Sequence, residues 1–250
     1  MRWITLIFHR CRLACKRIME CLVELVWPTC CAGCEKLGVL LCEDCQRELT
    51  YIDPELACPR CGAPFGRLVC TECTAVYEPT SSSLTQVRCV LEFTELSRRI
   101  IIVYKDRGEQ RLSGMLAGML AQAIPLEWKL WADVLTWIPA DEKAIKRRGF
   151  DHMALMAVSL AEQSGLRISP LLTKHSRRDQ RSLSRRERKQ NTQSIFSAKK
   201  ADSDVGKLRA QRIILIDDVF TTGATLEAAA STLLAAGAKE IRAVTVCRVW

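Results

Sequence analysis

The chain has 250 residues, 48% of them hydrophobic and 26% charged, with a formal net charge of +9 at pH 7. That balance supplies a core and excludes a disordered or fibrous polymer, while the positive excess favours polyanionic partners such as nucleic acid, phosphorylated small molecules or an anionic membrane surface. The 14 cysteines mean either disulfides in an oxidising compartment or thiolates on metal in a reducing one.

Taken in order, residues 1–28 form a predicted amphipathic helix, with Trp3, Leu6, Ile7, Ile18, Leu22, Leu25 and Val26 near one side. It packs on the protein's own body or, alternatively, touches a membrane surface. His9, Arg10, Arg12, Lys16 and Arg17 break its apolar stretch, so it lacks the form of a secretory signal. No stretch reaches the uncharged length of a membrane span. The expectation is therefore a cytoplasmic protein with reduced thiols.

Residues 29–75 show little helical or strand periodicity but contain cysteines in pairs: Cys31/Cys34, Cys42/Cys45, Cys58/Cys61 and Cys70/Cys73. Two residues between cysteines let both sulfurs of a tight turn face one ion, and two such turns complete a tetrahedral thiolate shell suited to zinc. The pairs therefore make a double zinc ribbon with two structural ions. Sequential pairing closes the shorter loops and is favoured on entropy; interleaved pairing stays open. A segment so poor in large apolar residues needs the metal to fold. Cys11, Cys15, Cys21, Cys89 and Cys247 read as small apolar residues.

Residues 76–87, with Pro79 and the Ser81–Ser83 run, read as a linker. From 88 to 250, apolar runs alternate with helical patterns: strands at 89–93, 134–138, 213–216 and 241–247, and helices at 96–104, 110–123, 152–164 and 224–236. Strands alternating with helices predict an α/β domain with a mostly parallel sheet flanked by helices.

The sharpest motif is Ile213-Ile214-Leu215-Ile216-Asp217-Asp218-Val219-Phe220-Thr221-Thr222-Gly223-Ala224-Thr225. A buried strand ends in two carboxylates, a hydroxyl-rich turn follows, and then a helix begins. A helix start offers free N–H groups and the positive end of the dipole, which suits a phosphate. Gly223 lets the backbone approach closely, and Thr221, Thr222 and Thr225 add hydroxyls. Ionised Asp217 and Asp218 are acceptors, matched to neighbouring ribose hydroxyls. Two acids beside a phosphate repel it unless those hydroxyls or a divalent cation intervene, so the motif predicts a sugar phosphate with magnesium. The competing readings are an acidic magnesium site of the receiver-domain kind and plain helix capping by Thr222 or Thr225.

This stretch resembles the phosphoribosyl pyrophosphate (PRPP) loop of type I phosphoribosyltransferases. With the cysteine ribbon in front of it, the chain from about Cys31 onward resembles the competence protein F (ComF) family. Tyr104-Lys105-Asp106-Arg107-Gly108 is similar to the family's lysine–tyrosine–glycine segment, and Trp137-Ile138-Pro139-Ala140 stands in the place of its pyrophosphate loop. Arg148-Gly149-Phe150-Asp151-His152 resembles its Arg-Gly-Phe-Asn-Gln, departing at the last two positions, and Gln180, Arg188 and Asn191 match a further pattern. The resemblance implies a type I phosphoribosyltransferase fold that binds PRPP through Lys105, Pro139, Ala140, Arg148, Asp217, Asp218, Thr221, Thr222, Gly223, Ala224 and Thr225. It implies a role in DNA uptake, handling single-stranded DNA in the cytoplasm with a DNA-uptake or helicase partner. The alternative is an active transferase that joins a nitrogen acceptor to ribose 5-phosphate. The basic run from Lys174 to Lys189 has three readings. It is a solvated face, a loop closing over pyrophosphate as the resemblance implies, or a strand-binding segment that lacks aromatics for stacking.

Overall fold

The computed structural model describes residues 28–64, 68–75, 82–175, 195–199 and 211–250. The predicted amphipathic helix before Pro28, residues 76–81 of the expected linker, and residues 176–194, with Gln180, Arg188 and Asn191, lie outside the described residues.

Two compact units divide at Glu48/Leu49. In the first, a loop around Cys31 and Cys34 leads into α1 (Glu43–Glu48), which carries Cys45. The second opens with the loop around Cys58 and Cys61 and α2 (Thr71–Ala75), which carries Cys73. β1 (Gln86–Glu92), α3 (Glu95–Lys105), α4 (Leu112–Ala123), α5 (Leu126–Trp131), β2 (Val134–Trp137), α6 (Glu142–Arg148) and α7 (His152–Ser164) follow. The chain ends through β3 (Leu172–Lys174), β4 (Phe196–Ala198), β5 (Arg212–Phe220), α8 (Ala224–Ala235) and β6 (Glu240–Arg248).

β1, β6, β5 and β2 form, in that order, a sheet in which every adjacent pair is parallel. Ile213 to Ile216 are fully buried, the continuous apolar run expected of a parallel strand covered on both faces. Their burial is worth about 1.5–3 kcal/mol per side chain. Ile213 and Leu215 share a core with Phe196, Leu226, Ala229 and Leu233. That places α8 and the β3–β4 pair on one face of the sheet, while α4 and α7 pack on each other and on the other face.

Local chemistry sets several boundaries. Thr94 and Ser97 form a reciprocal capping box at the start of α3. Asp141 caps α6 through the Lys143 N–H, and Asp151 caps α7 through Met153 and Ala154. Each supplies an acceptor for N–H groups that a helix start leaves without partners.

The structure adds elements that periodicity does not predict. α5 and α6 are too short to show a period, and α6 buries none of its side chains. β3 and β4 pair antiparallel, Leu172 opposite Ala198, a contact between distant segments that no local pattern announces. β5 runs on through Phe220, so Asp217 and Asp218 lie inside the strand, and the bend occupies only Thr221–Gly223.

Candidate functional site

The cysteines resolve into sequential clusters. The sulfurs of Cys31, Cys34, Cys42 and Cys45 lie within 4.8 Å of one another, as do those of Cys58, Cys61, Cys70 and Cys73. Both clusters use the same local geometry. The Cys42 N–H donates to the Cys31 sulfur at 3.3 Å, and the Cys70 N–H to the Cys58 sulfur at 3.3 Å. A left-handed residue closes each first turn: Glu35 at φ 67° and Gly62 at φ 68°. Their N–H groups donate to the carbonyls of Cys31 and Cys58 respectively. Gly62 has a second reason to lack a side chain, since a Cβ there would fall 2.6 Å from the Cys89 sulfur.

Burial raises the Cys31 thiol, but N–H groups of Cys34, Cys42 and Gly33 outweigh it and bring it to about 6. Cys58 is likewise brought to about 7 by N–H groups of Cys70, Cys61 and Arg60. Burial instead pushes Cys45 and Cys73 up, so it is the gathering of four sulfurs in each cluster that fits a tetrahedral zinc ion, and each cluster can hold one. Cys89 and Cys247 stay outside both clusters as buried thiols, each pushed up to about 12, chiefly by burial.

The second candidate site lies where β2 and β5 end on the same edge of the sheet. Trp137 pairs with Ile216, and the Ile138 N–H donates to the Ile216 carbonyl at 3.0 Å. Pro139 and Ala140 therefore leave the sheet beside Asp217 and Asp218. In open parallel sheets this carboxyl edge is where ligands bind. Successive strand residues point to opposite faces. Asp217 continues the row of Ile213 and Leu215 toward α8, and Asp218 continues that of Ile214 and Ile216 toward α7.

Asp218 Oδ2 accepts from Lys105 Nζ at 2.6 Å and lies 3.2 Å from His152 Nε2. His152 Nδ1 is 3.5 Å from Arg148 Nη1. Arginine can only donate, so the imidazole proton belongs on Nε2, facing Asp218. Arg148 also holds Asp106 at 2.8 Å. Tyr104, fully buried, donates its hydroxyl to the His152 carbonyl and pins the first turn of α7.

The two carboxylates are driven apart. Burial and the charge of Asp218 raise Asp217 well above the usual carboxylate range. Burial opposes ionisation of Asp218 too, but the His152 hydrogen bond and the Lys105 charge hold it below that range.

Beyond Phe220 the chain bends through Thr221 and Thr222 to Gly223, which caps α8 at φ 80° with no side-chain hydrogen bond to the helix. Thr222 Oγ1 accepts only a long 3.4 Å contact from the Ala224 N–H, so capping by threonine does not account for the turn. Thr221, Thr222, Ala224 and Thr225 are exposed at its rim.

The structure thus gathers Lys105, Arg148 and Asp218 into one hydrogen-bonded network and sets Pro139, Ala140 and Asp217 beside it. The turn residues continue from the same strand. Sequence reasoning missed His152, which stands where the resembling family has glutamine. Its place at the start of a predicted helix, four residues after Arg148, was the available signal. It also missed Arg248, buried at the end of β6.

Residues 152–249 match the family model described as phosphoribosyl transferase domain. Competence protein ComFC of Bacillus subtilis (strain 168) is 27% identical over 215 residues, 83% of this chain and 84% of the relative. Its namesake in Streptococcus pneumoniae is 27% identical, covering 83% and 87%. DNA utilization protein YhgH of Salmonella typhimurium is 28% identical, covering 89% and 91%. Among solved structures, the glutamine PRPP amidotransferase of B. subtilis complexed with ADP and GMP has 24% identity and a TM-score of 0.39, covering 54% of this chain and 26% of that one. The fold is that of a type I phosphoribosyltransferase domain, a class built to hold a ribose phosphate. With two four-cysteine clusters as well, the chain is similar over most of its length to the relatives named ComFC and YhgH.

Proposed function

We propose that this protein binds PRPP with magnesium at the carboxyl edge of β2 and β5 and acts in the cytoplasm during DNA uptake, handling incoming single-stranded DNA. The observation that carries the first part is the pair Asp217–Asp218, whose environments favour a protonated and an ionised carboxyl side by side. Together they offer a donor and several acceptors to the adjacent hydroxyls of a ribose. The start of α8 and the turn before it supply N–H and hydroxyl groups for the 5-phosphate. Pro139 and Ala140 border the space for the pyrophosphate, and Lys105 and Arg148 bring positive charge to the same edge. Magnesium, when bound, would neutralise the pyrophosphate.

The relatives named for competence and DNA utilization, together with the net positive charge, support the DNA part of the reading. A helicase or other uptake protein is the partner it implies. The division into a metal-binding segment at 29–75 and a phosphoribosyltransferase-like domain at 88–250 belongs to the same reading.

The test is calorimetric titration of PRPP, with magnesium, into zinc-loaded protein and into the double variant Asp217→Ala, Asp218→Ala. Binding should vanish in the variant while zinc content stays the same. Retained binding would remove these acids from the site. A second titration, of an unstructured single-stranded oligonucleotide at rising salt, should show affinity falling steeply as phosphate contacts are screened.

A cavity of about 880 Å³ bordered by Thr221–Ala224 favours a second reading, transfer of ribose 5-phosphate to a nitrogen acceptor. There the C1–oxygen bond to pyrophosphate breaks, a C1–nitrogen bond forms, and the acceptor nitrogen gives up its proton. Pyrophosphate release across a panel of amines and bases separates the two readings.

A further inference from the structure

One side chain hydrogen-bonds both the loop of the second cysteine cluster and the Thr221–Thr225 turn. Arg248 closes β6, opposite Phe220 on one side and Glu92 on the other, and is 3% exposed. Its guanidinium donates through Nε to the carbonyl of Cys61 at 3.1 Å and through Nη1 to the carbonyl of Thr221 at 2.8 Å. Nη2 reaches Glu72 at 3.5 Å, and the group lies 4.6 Å from the centre of the Phe220 ring. Cys61 belongs to the cluster, Glu72 sits between its last two cysteines, and Thr221 opens the turn. Phe220 is the ring that a Cβ on Gly223 would strike. The cavity beside the turn is walled by both partners, with Cys61, Glu72 and Cys73 facing Thr221, Thr222 and Gly223.

We infer that Arg248 is a positioning residue that makes the binding shape of the Thr221–Thr225 turn depend on metal in the second cysteine cluster. This rests on the reading of that turn as a ribose-phosphate site. The planar fork of arginine satisfies separate acceptors in fixed directions, which a lysine ammonium cannot reproduce. The segment that presents the Cys61 carbonyl and Glu72 is short loops plus the single-turn helix α2, and such segments owe their order to bound metal. Without it, Arg248 keeps only Thr221 and the Phe220 ring, and the Thr221 carbonyl is no longer held in one direction. The first cluster belongs to the other unit.

The experiment titrates ribose 5-phosphate into the zinc-loaded full chain and into Arg248→Lys, Cys73→Ser and Cys34→Ser, with zinc content and thermal melting measured for each. Arg248→Lys should keep both ions yet bind about tenfold more weakly, the worth of one charge-assisted hydrogen bond. Cys73→Ser should lose one ion and weaken binding similarly. Cys34→Ser should also lose one ion but bind like the parent. If Arg248→Lys melts lower but binds as the parent does, the residue is merely structural and the inference fails. Equal weakening by Cys34→Ser and Cys73→Ser overturns it too, by making the effect one of general metal loss. Should Cys73→Ser fail to fold, Arg248→Lys decides alone. No binding by the parent protein overturns the ribose-phosphate reading itself, and the link with it.

Discussion

Gly223→Ala tests whether the Thr221–Thr225 turn is built around the absence of a side chain. Gly223 sits at φ 80°, and a Cβ there would lie 2.6 Å from Cζ and 3.2 Å from Cε1 of Phe220. The left-handed backbone alone costs a residue with a Cβ about 1–2 kcal/mol. The Phe220 ring is buried beneath Arg248 and cannot swing aside freely, and such overpacking costs about 1–3 kcal/mol more. The alanine also narrows the unfolded ensemble, which returns about 0.4–1 kcal/mol. The net is a loss of about 3 kcal/mol, or a fall in melting temperature of about 6–12 °C for a chain of this size. Gly149→Ala is the matched control: it shares the left-handed backbone, at φ 82°, but has nothing within 4 Å of its Cβ. It should lose only about 1 kcal/mol, the conformational cost less the entropic return. Urea denaturation of the zinc-loaded variants, followed by circular dichroism, measures both. Equal losses at the two glycines, or a neutral Gly223→Ala, would refute the clash with Phe220.

The carboxylate network yields two more expectations. Lys105→Met removes the 2.6 Å partner of a nearly buried carboxylate and should destabilise the protein by about 1–3 kcal/mol at pH 7. Because Asp218 is held low in the fold, its contribution is present above the unfolded value of about 3.9 and disappears as pH falls through the folded value. The variant should therefore lose less stability than the parent between pH 5 and pH 3, and an unchanged acid limb would contradict the pairing. For Asp217 the sign reverses. A raised folded value means the native state binds more protons than the unfolded chain, so stability falls as pH climbs through that window. Asp217→Asn should thus be more stable than the parent at pH 8, and little different at pH 4, in protein free of phosphate and divalent cations. A variant no more stable at pH 8 would show that the buried carboxyl is not under strain.

Much of this protein is legible along the chain because its chemistry is local. The spacing of Cys31/Cys34 and its three companion pairs specifies thiolate shells. The Ile213–Ile216 run marks a strand buried on both faces, and Asp217 to Thr225 spells out carboxylates, bend and helix start without a gap. His152–Ser164 is helical from end to end as its periodicity predicts, since a 13-residue helix shows several repeats of its own period.

The rest depends on residues that are distant in sequence. Spacing favours sequential pairing of the cysteines, but only the folded loops exclude interleaving. Nothing near Cys58 announces that it joins the core formed by Val87, Phe220 and Leu226. His152 becomes a partner of Asp218 only when α7 is laid across β5, and Arg248 meets Cys61 and Thr221 only when β6 is inserted between β1 and β5. Each of those contacts is one hydrogen bond whose donor and acceptor are brought together by the packing of the sheet, and periodicity carries no information about such pairs. The opposite ionisation tendencies of Asp217 and Asp218 follow for the same reason: two identical side chains, adjacent in sequence, are separated by which face of the sheet each meets.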